Sequence, residues 1–154
     1  RSQVMTFMNT TPSSTATYNL IGSGVVSGSI AYNPNVVEET YIHQDNATIT
    51  VEGYAPKLPV EASAIVGDPV FEFIDSLRIA RAILDAAQTD IVNVWAYESG
   101  GPTAYPAEKQ AVAIQIDEFG GEGGVSTKIN YTINFTGDPI PGTFNTNTKT
   151  FTAS

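Results

Sequence analysis

The chain has 154 residues, enough for one domain with a core of its own. Sixteen acidic residues against seven basic ones give a net charge of −9, and the basic residues are scattered, which argues against a phosphate-gripping nucleic-acid surface. Cysteine is absent, excluding disulfides, thiolate nucleophiles and cysteine metal sites, and no apolar run approaches the ~18 residues that a membrane-spanning helix needs.

Charged residues make up only 15% of the chain, and Thr, Asn, Ser and Gly take their place, a bias toward strands and turns. Residues 1–15 are polar and read as a flexible N-terminal arm, which leaves 16–154 as a single β domain. Short strands are expected at 17–21 and 25–32, the second broken by Asn33-Pro34-Asn35. Across 40–54, Ile49 and Val51 fall on one face and Thr48, Thr50 and Glu52 on the other, the pattern of a half-buried strand. Residues 53–67, with Pro56 and Pro59, read as a long loop.

One helix is predicted over about residues 68–86. Asp68 is a plausible N-cap and Pro69 suits the first helical position. Val70, Phe73, Leu77, Ala80 and Leu84 form an apolar stripe that has to pack on something, most simply a sheet. Strands follow at 91–97, 111–117, 127–135 and 143–152, with turns at 100–102 and 137–142, the latter shaped by Gly137, Asp138 and Pro139. Alternation is cleanest in the two middle strands. Val112, Ile114 and Ile116 share a face with Ile129, Tyr131, Ile133 and Phe135, while Gln115, Asp117, Asn130, Thr132 and Asn134 take the opposite one. The fold class is mainly β: an antiparallel β-sandwich or split barrel with one flanking α-helix.

Candidate chemistry is sparse. Gly120, Gly121, Gly123 and Gly124 surround Glu122, but a phosphate loop needs a helix after it, and here a strand follows. A hairpin connection needing positive φ is the simpler reading, although Asp117, Glu118 and Glu122 offer oxygens for a loosely held cation. The run from Gly22 to Gly28 nearly matches a dinucleotide fingerprint, but Ser27 replaces the third glycine and the continuation is strand-like. His43 is the only histidine, too little for a triad or a histidine zinc site. Adjacent acids at Glu38-Glu39 and Asp117-Glu118 point to opposite faces of a regular strand, so neither makes a two-carboxylate site by itself. No catalytic residue, cofactor or metal site is assigned.

Several phrases occur in order: Ala31-Tyr-Asn-Pro-Asn35, Ala64-Ile-Val-Gly-Asp-Pro-Val-Phe-Glu-Phe-Ile-Asp75, Tyr105-Pro-Ala-Glu-Lys109, Ile116-Asp-Glu-Phe-Gly-Gly-Glu-Gly-Gly124 and Lys128-Ile-Asn-Tyr-Thr-Ile-Asn-Phe-Thr-Gly-Asp-Pro139. Gly142-Thr-Phe-Asn145 and Thr148-Lys-Thr-Phe-Thr152 close the series. Together they resemble the major tail (tail tube) proteins of siphophages and related prophages of Gram-positive bacteria. The resemblance implies a non-enzymatic virion subunit assembled in the bacterial cytoplasm. It would form hexameric rings that stack into a tube around the tape measure protein and later conduct DNA. With four strands per subunit lining such a ring, a spacing of ~4.8 Å and a tilt of ~40° give a backbone diameter of roughly 48 Å, wide enough for duplex DNA. Thr48, Thr50, Gln115, Asp117, Asn130, Thr132 and Asn134 are then expected to face the lumen. The alternative is a secreted β-sandwich binding module, carbohydrate-binding or adhesin, with Trp95, Tyr97 and Tyr105 as a stacking platform, although core packing explains those aromatics more simply.

Overall fold

The computed structural model describes residues 4–22, 24–98, 101–124 and 126–154. In chain order its elements are β1 (Val4–Asn9), β2 (Tyr18–Leu20), β3 (Val25–Gly28), β4 (Pro34–Glu39), β5 (Thr48–Tyr54), β6 (Lys57–Ser63), α1 (Pro69–Ala80), a 3-10 turn (Leu84–Ala87), β7 (Gln88–Trp95), β8 (Tyr105–Gly120), β9 (Lys128–Asn145) and β10 (Thr150–Ala153). Eight strands make one antiparallel sheet in the order β2-β1-β7-β8-β9-β6-β3, with β10 pairing with β9, and among the described residues β4 and β5 pair only with each other. The outermost strands β2 and β3 are separated by only four residues of chain, so the sheet rolls into a nearly closed barrel. The expected fold class is the observed one.

Two cores lie on opposite faces of this sheet. The inner face carries Met8, Ile91, Val112, Ile114, Tyr131, Ile133, Leu58 and Val60, and is covered by Val70 and Ile74 of α1. The outer face of β1 and β7 carries Phe7, Val92 and Val94, which pack with Tyr18, Ala107 and Phe144. The Phe7 and Phe144 rings lie 4.6 Å apart, and Tyr18 meets Phe144 edge-on at 6.0 Å. Strand β7 is therefore buried on both sides, which is why Ile91-Val-Asn-Val94 reads as a nearly continuous apolar run.

Helix α1 begins where expected, with Asp68 in extended conformation before Pro69. It ends early. Arg81 adopts the left-handed conformation (φ +46°), and the amides of Arg81 and Ala82 bond back to the carbonyls of Arg78 and Leu77. This Schellman-type closure turns the chain away, and Leu84, expected on the buried stripe, is 81% exposed.

Four further expectations are corrected. Residues 4–9 belong to no arm: they form β1, whose Phe7 and Met8 are core residues, paired with β2 and β7. Residues 57–63 are no loop but a seven-residue strand between β9 and β3. Pro59 is tolerated there because the amides of Lys57 and Ser63 point toward β3, and at Pro59 that side lies in the gap between the Gly28–Val60 pairing and the lone Ala31–Lys57 bridge. Residues 48–54 are not half-buried, since β4 and β5 form a ribbon outside the main sheet with Ile49 65% exposed. Finally, Gly137, Asp138 and Pro139 shape no turn between strands. They bulge from within β9, three residues standing opposite Gln110 alone, between the Lys109–Ile140 and Ala111–Thr136 pairs.

Two consequences can be measured. Ile74 is fully buried beneath the sheet, so Ile74→Ala is expected to cost about 2–5 kcal/mol in denaturant unfolding, whereas Ile79→Ala, on the exposed face of α1, stays within about 0.5 kcal/mol. The Tyr18 hydroxyl donates to Asp90 at 2.6 Å, and burial, then this hydrogen bond and the carboxylate charge, raise its pKa. Burial, then Asp68, raises that of Tyr131. A folded-state pKa above the unfolded value of ~10 gives stability that is complete below that pH and lost as pH rises beyond it. Tyr18→Phe is therefore expected to lower stability by about 1 kcal/mol at neutral pH and to flatten, without abolishing, the alkaline loss seen in pH-dependent unfolding.

Candidate functional site: a polar strip across β6, β8 and β9

The outward face of β6, β9 and β8 opposes the helix-covered core. The β8–β9 register sets Gln115 opposite Thr132 and Ala113 opposite Asn134, and the β6–β9 register places Lys57, Pro59, Glu61 and Ser63 beside Asn134, Thr132, Asn130 and Lys128. Of the seven residues expected to face a lumen, Gln115, Asp117, Asn130, Thr132 and Asn134 lie together on this face. Thr48 and Thr50 stand apart, on the β4–β5 ribbon.

The strip is internally bonded. Thr132 Oγ1 donates to Asp117 Oδ2 at 2.6 Å, Gln115 Nε2 donates to Asp117 Oδ1 at 2.6 Å, and Asn134 Nδ2 donates to Gln115 Oε1 at 3.3 Å. Lys128 Nζ reaches Glu61 at 3.0 Å. Asn130 Oδ1 is buried and has no partner among the described residues. The network orders side chains that would otherwise sample many rotamers, and spends both Asp117 oxygens on neutral donors.

Its geometry depends on a bulge that alternation alone did not reveal. The β8–β9 register shifts between Ile116 and Glu118: Ile116 opposes Tyr131 on the inner face, while Glu118 opposes Asn130 on the outer one. Asp117 is the extra residue, so Asp117 and Glu118 both reach the polar face, contrary to the opposite-face expectation. Beyond the bulge Phe119 turns back toward α1, where the Arg78 guanidinium lies 3.9 Å from its ring centroid.

The glycine-rich segment lies between β8 and β9, which pair antiparallel. Gly120 (φ +131°) ends β8 opposite Lys128, and Gly124 (φ +83°) also takes a positive φ, whereas no positive φ is found at Gly121 or Gly123. Among the described residues no group of three or more His, Asp or Glu is placed to hold a metal ion, and no helix is long and apolar enough to cross a membrane.

At the other bulge Gln110 is 4% exposed, and its Nε2 donates to the carbonyls of Thr136 (2.5 Å), Gly137 (3.2 Å) and Ala111 (3.1 Å), the last of which also accepts from Thr136 Oγ1 at 3.2 Å. Trp95, Tyr97 and Tyr105 do not form a platform: Tyr105 packs against the outer core, Tyr97 is 58% exposed, and Trp95 lines a cavity with Tyr32 and Tyr54. His43 lies beyond the ribbon, beside Tyr41.

No protein-family model matches the sequence, and no curated protein matches it. Among solved structures, the chain aligns with one described as "Tail of empty GTA particle computed with helical refinement, C6 symmetry". The alignment covers 99% of this chain and 97% of that one, with a TM-score of 0.64 and 12% sequence identity. At that identity, what the two chains share is the fold.

The Thr132–Asp117 bond is the anchor of the strip. Thr132→Val is expected to destabilise the protein by about 1 kcal/mol, and a double-mutant cycle with Asp117→Asn to return a coupling of at least about 0.5 kcal/mol; additivity would mean the strip is not a network.

Proposed function

We propose that the protein is a structural, non-enzymatic subunit of a bacteriophage tail tube. In this reading it forms hexameric rings that stack into a virion tube, enclose the tape measure protein and pass DNA, with the polar strip facing the lumen. The observation that carries the reading is the end-to-end likeness to a chain from a C6-symmetric particle tail, which leaves almost no part of either chain unaligned.

Local features support it. Edge strand β2 and the ribbon β4–β5 have unpaired backbone on one side among the described residues, and ring closure pairs or covers such edges. The ribbon exposes Val36, Ile49, Val51 and Tyr54, and an isolated two-stranded hairpin is only marginally stable in water, so it gains from a neighbour. A strip of amides and hydroxyls, with lysines and carboxylates both present, gives DNA no run of cations to condense on. The siphophage affiliation, cytoplasmic assembly and the hexamer belong to this proposal. A secreted binding module built on Trp95, Tyr97 and Tyr105 is less well supported, because those aromatics are dispersed.

Electron microscopy of the purified protein is expected to show six-fold rings or tubes. The native chain has no cysteine, so Gln115→Cys and Asn134→Cys introduce sole thiols. In assembled tubes these thiols are expected to react with a small maleimide and to be blocked to a bulky polymer-linked one, whereas Lys149→Cys, in the exposed turn before β10, is not expected on the lumen side. Equal labelling of Gln115→Cys by both reagents in intact tubes would place the strip outside.

A further inference from the structure

Helix α1 does not fill the whole inner face of the sheet. Where β7 ends and β8 begins, a cavity of about 670 Å³ opens, lined by residues of β7, β8, the β9 bulge and the base of the ribbon, and by none of α1. Its size falls within the ~300–1,000 Å³ usual for small-molecule sites.

The lining has a definite chemistry. Tyr32 and Tyr54 present rings 6.3 Å apart at 80° to each other, both more than half exposed, and Trp95 adds a third aromatic surface beside Phe135. Two nearly fully buried amides line the same space. Asn93, 2% exposed, accepts from Thr6 Oγ1 through its Oδ1 at 3.0 Å, leaving Nδ2 as a donor without a hydrogen bond among the described residues. Gln110 uses its Nε2 on backbone carbonyls, leaving Oε1 as an acceptor. Glu108 and Asp138 add carboxylates, and among the described residues the lining contains no Lys or Arg.

Each feature narrows the ligand. Two carboxylates without a cation disfavour phosphates and other anions. A purely apolar guest would bury an amide donor and an amide acceptor without partners, which opposes its binding. A cation gains from the carboxylates but meets the Asn93 donor. A neutral molecule with both apolar C–H faces and hydroxyls satisfies the set: its faces lie on the rings, and its hydroxyls donate to Gln110 and the carboxylates and accept from Asn93. We propose that this cavity binds a short neutral saccharide. The assignment goes beyond the tube reading and does not depend on it.

Trp95 is the only tryptophan, so its emission reports on this cavity directly. The purified chain is titrated to millimolar concentration with maltotriose, cellotriose and N,N′,N″-triacetylchitotriose, with spermidine as the cationic comparison. At least one saccharide is expected to change the Trp95 emission saturably and to move the Asn93 and Gln110 side-chain amide signals in NMR spectra. Tyr54→Ala and Tyr32→Ala, at half-exposed rings outside the core, are expected to weaken that binding by up to about tenfold while leaving the unfolding midpoint in place. The proposal is overturned if none of the three saccharides gives a saturable change, if spermidine alone does, or if binding survives both tyrosine variants unchanged.

Discussion

The antiparallel register of β8 against β9 is the constraint on which the rest of the molecule depends. It runs from Tyr105 opposite Phe144 to Gly120 opposite Lys128 and passes through both cores. Side chains alternate along it, so a slip of one residue would drive Thr132 and Asn134 against α1 and turn Tyr131 and Ile133 to the outside. Two bulges help fix the pairing. At one, Gln110 bonds the carbonyls freed by Gly137 and its neighbours; at the other, Asp117 is held by Gln115 and Thr132. These bonds form only in this register, so the irregularities help specify the sheet alongside the regular pairs.

Because β7 is buried on both faces, one sheet serves two cores without a second layer of strands. The inner core needs α1 as its lid, and the outer one uses β1, β2 and the far ends of β8 and β9. The polar strip occupies the outward surface that neither core claims. Its neighbours in β6 are Lys57, Pro59, Glu61 and Ser63, none of them large and aliphatic, and this keeps the surface from becoming a third packing site.

What the sequence made legible follows from which forces act locally. The alternation of residues 111–117 and 127–135, the glycine connection and the start of α1 are written in side-chain period and turn chemistry, and five strip residues could be grouped from that period alone. Strand β6 was hidden because Pro59 looks like a breaker until the gap in β3 pairing is known. Strand β1 was hidden by the Thr- and Ser-rich stretch that follows it, although Val4-Met-Thr-Phe-Met8 carries apolar residues enough for a core strand. The ribbon misled in the opposite direction: Ile49 and Val51 alternate as if half-buried, yet nothing within the described chain covers them. Bulges escape period analysis altogether, since they are defined by a partner strand; the adjacent pair Asp117-Glu118 was the one visible hint, two acids in sequence that a regular strand would have sent to opposite faces.

The distribution of charge refines the electrostatic argument. The chain is strongly acidic as a whole, but the strip and its margins hold Lys57 and Lys128 against Glu61, Asp117 and Glu118, close to balance, and Lys128 is already paired with Glu61. The acids concentrate elsewhere. Residues 34–54 contain Glu38, Glu39, Asp45 and Glu52 and no Lys or Arg. In the proposed tube, weak interaction with passing DNA would then rest on a nearly neutral hydrogen-bonded lining rather than on an acidic one, while the ribbon segment carries four acids without a Lys or Arg among them. Apolar contact through Val36, Ile49 and Val51 would have to outweigh repulsion between such ribbons, and added salt, by screening those charges, would favour association rather than oppose it.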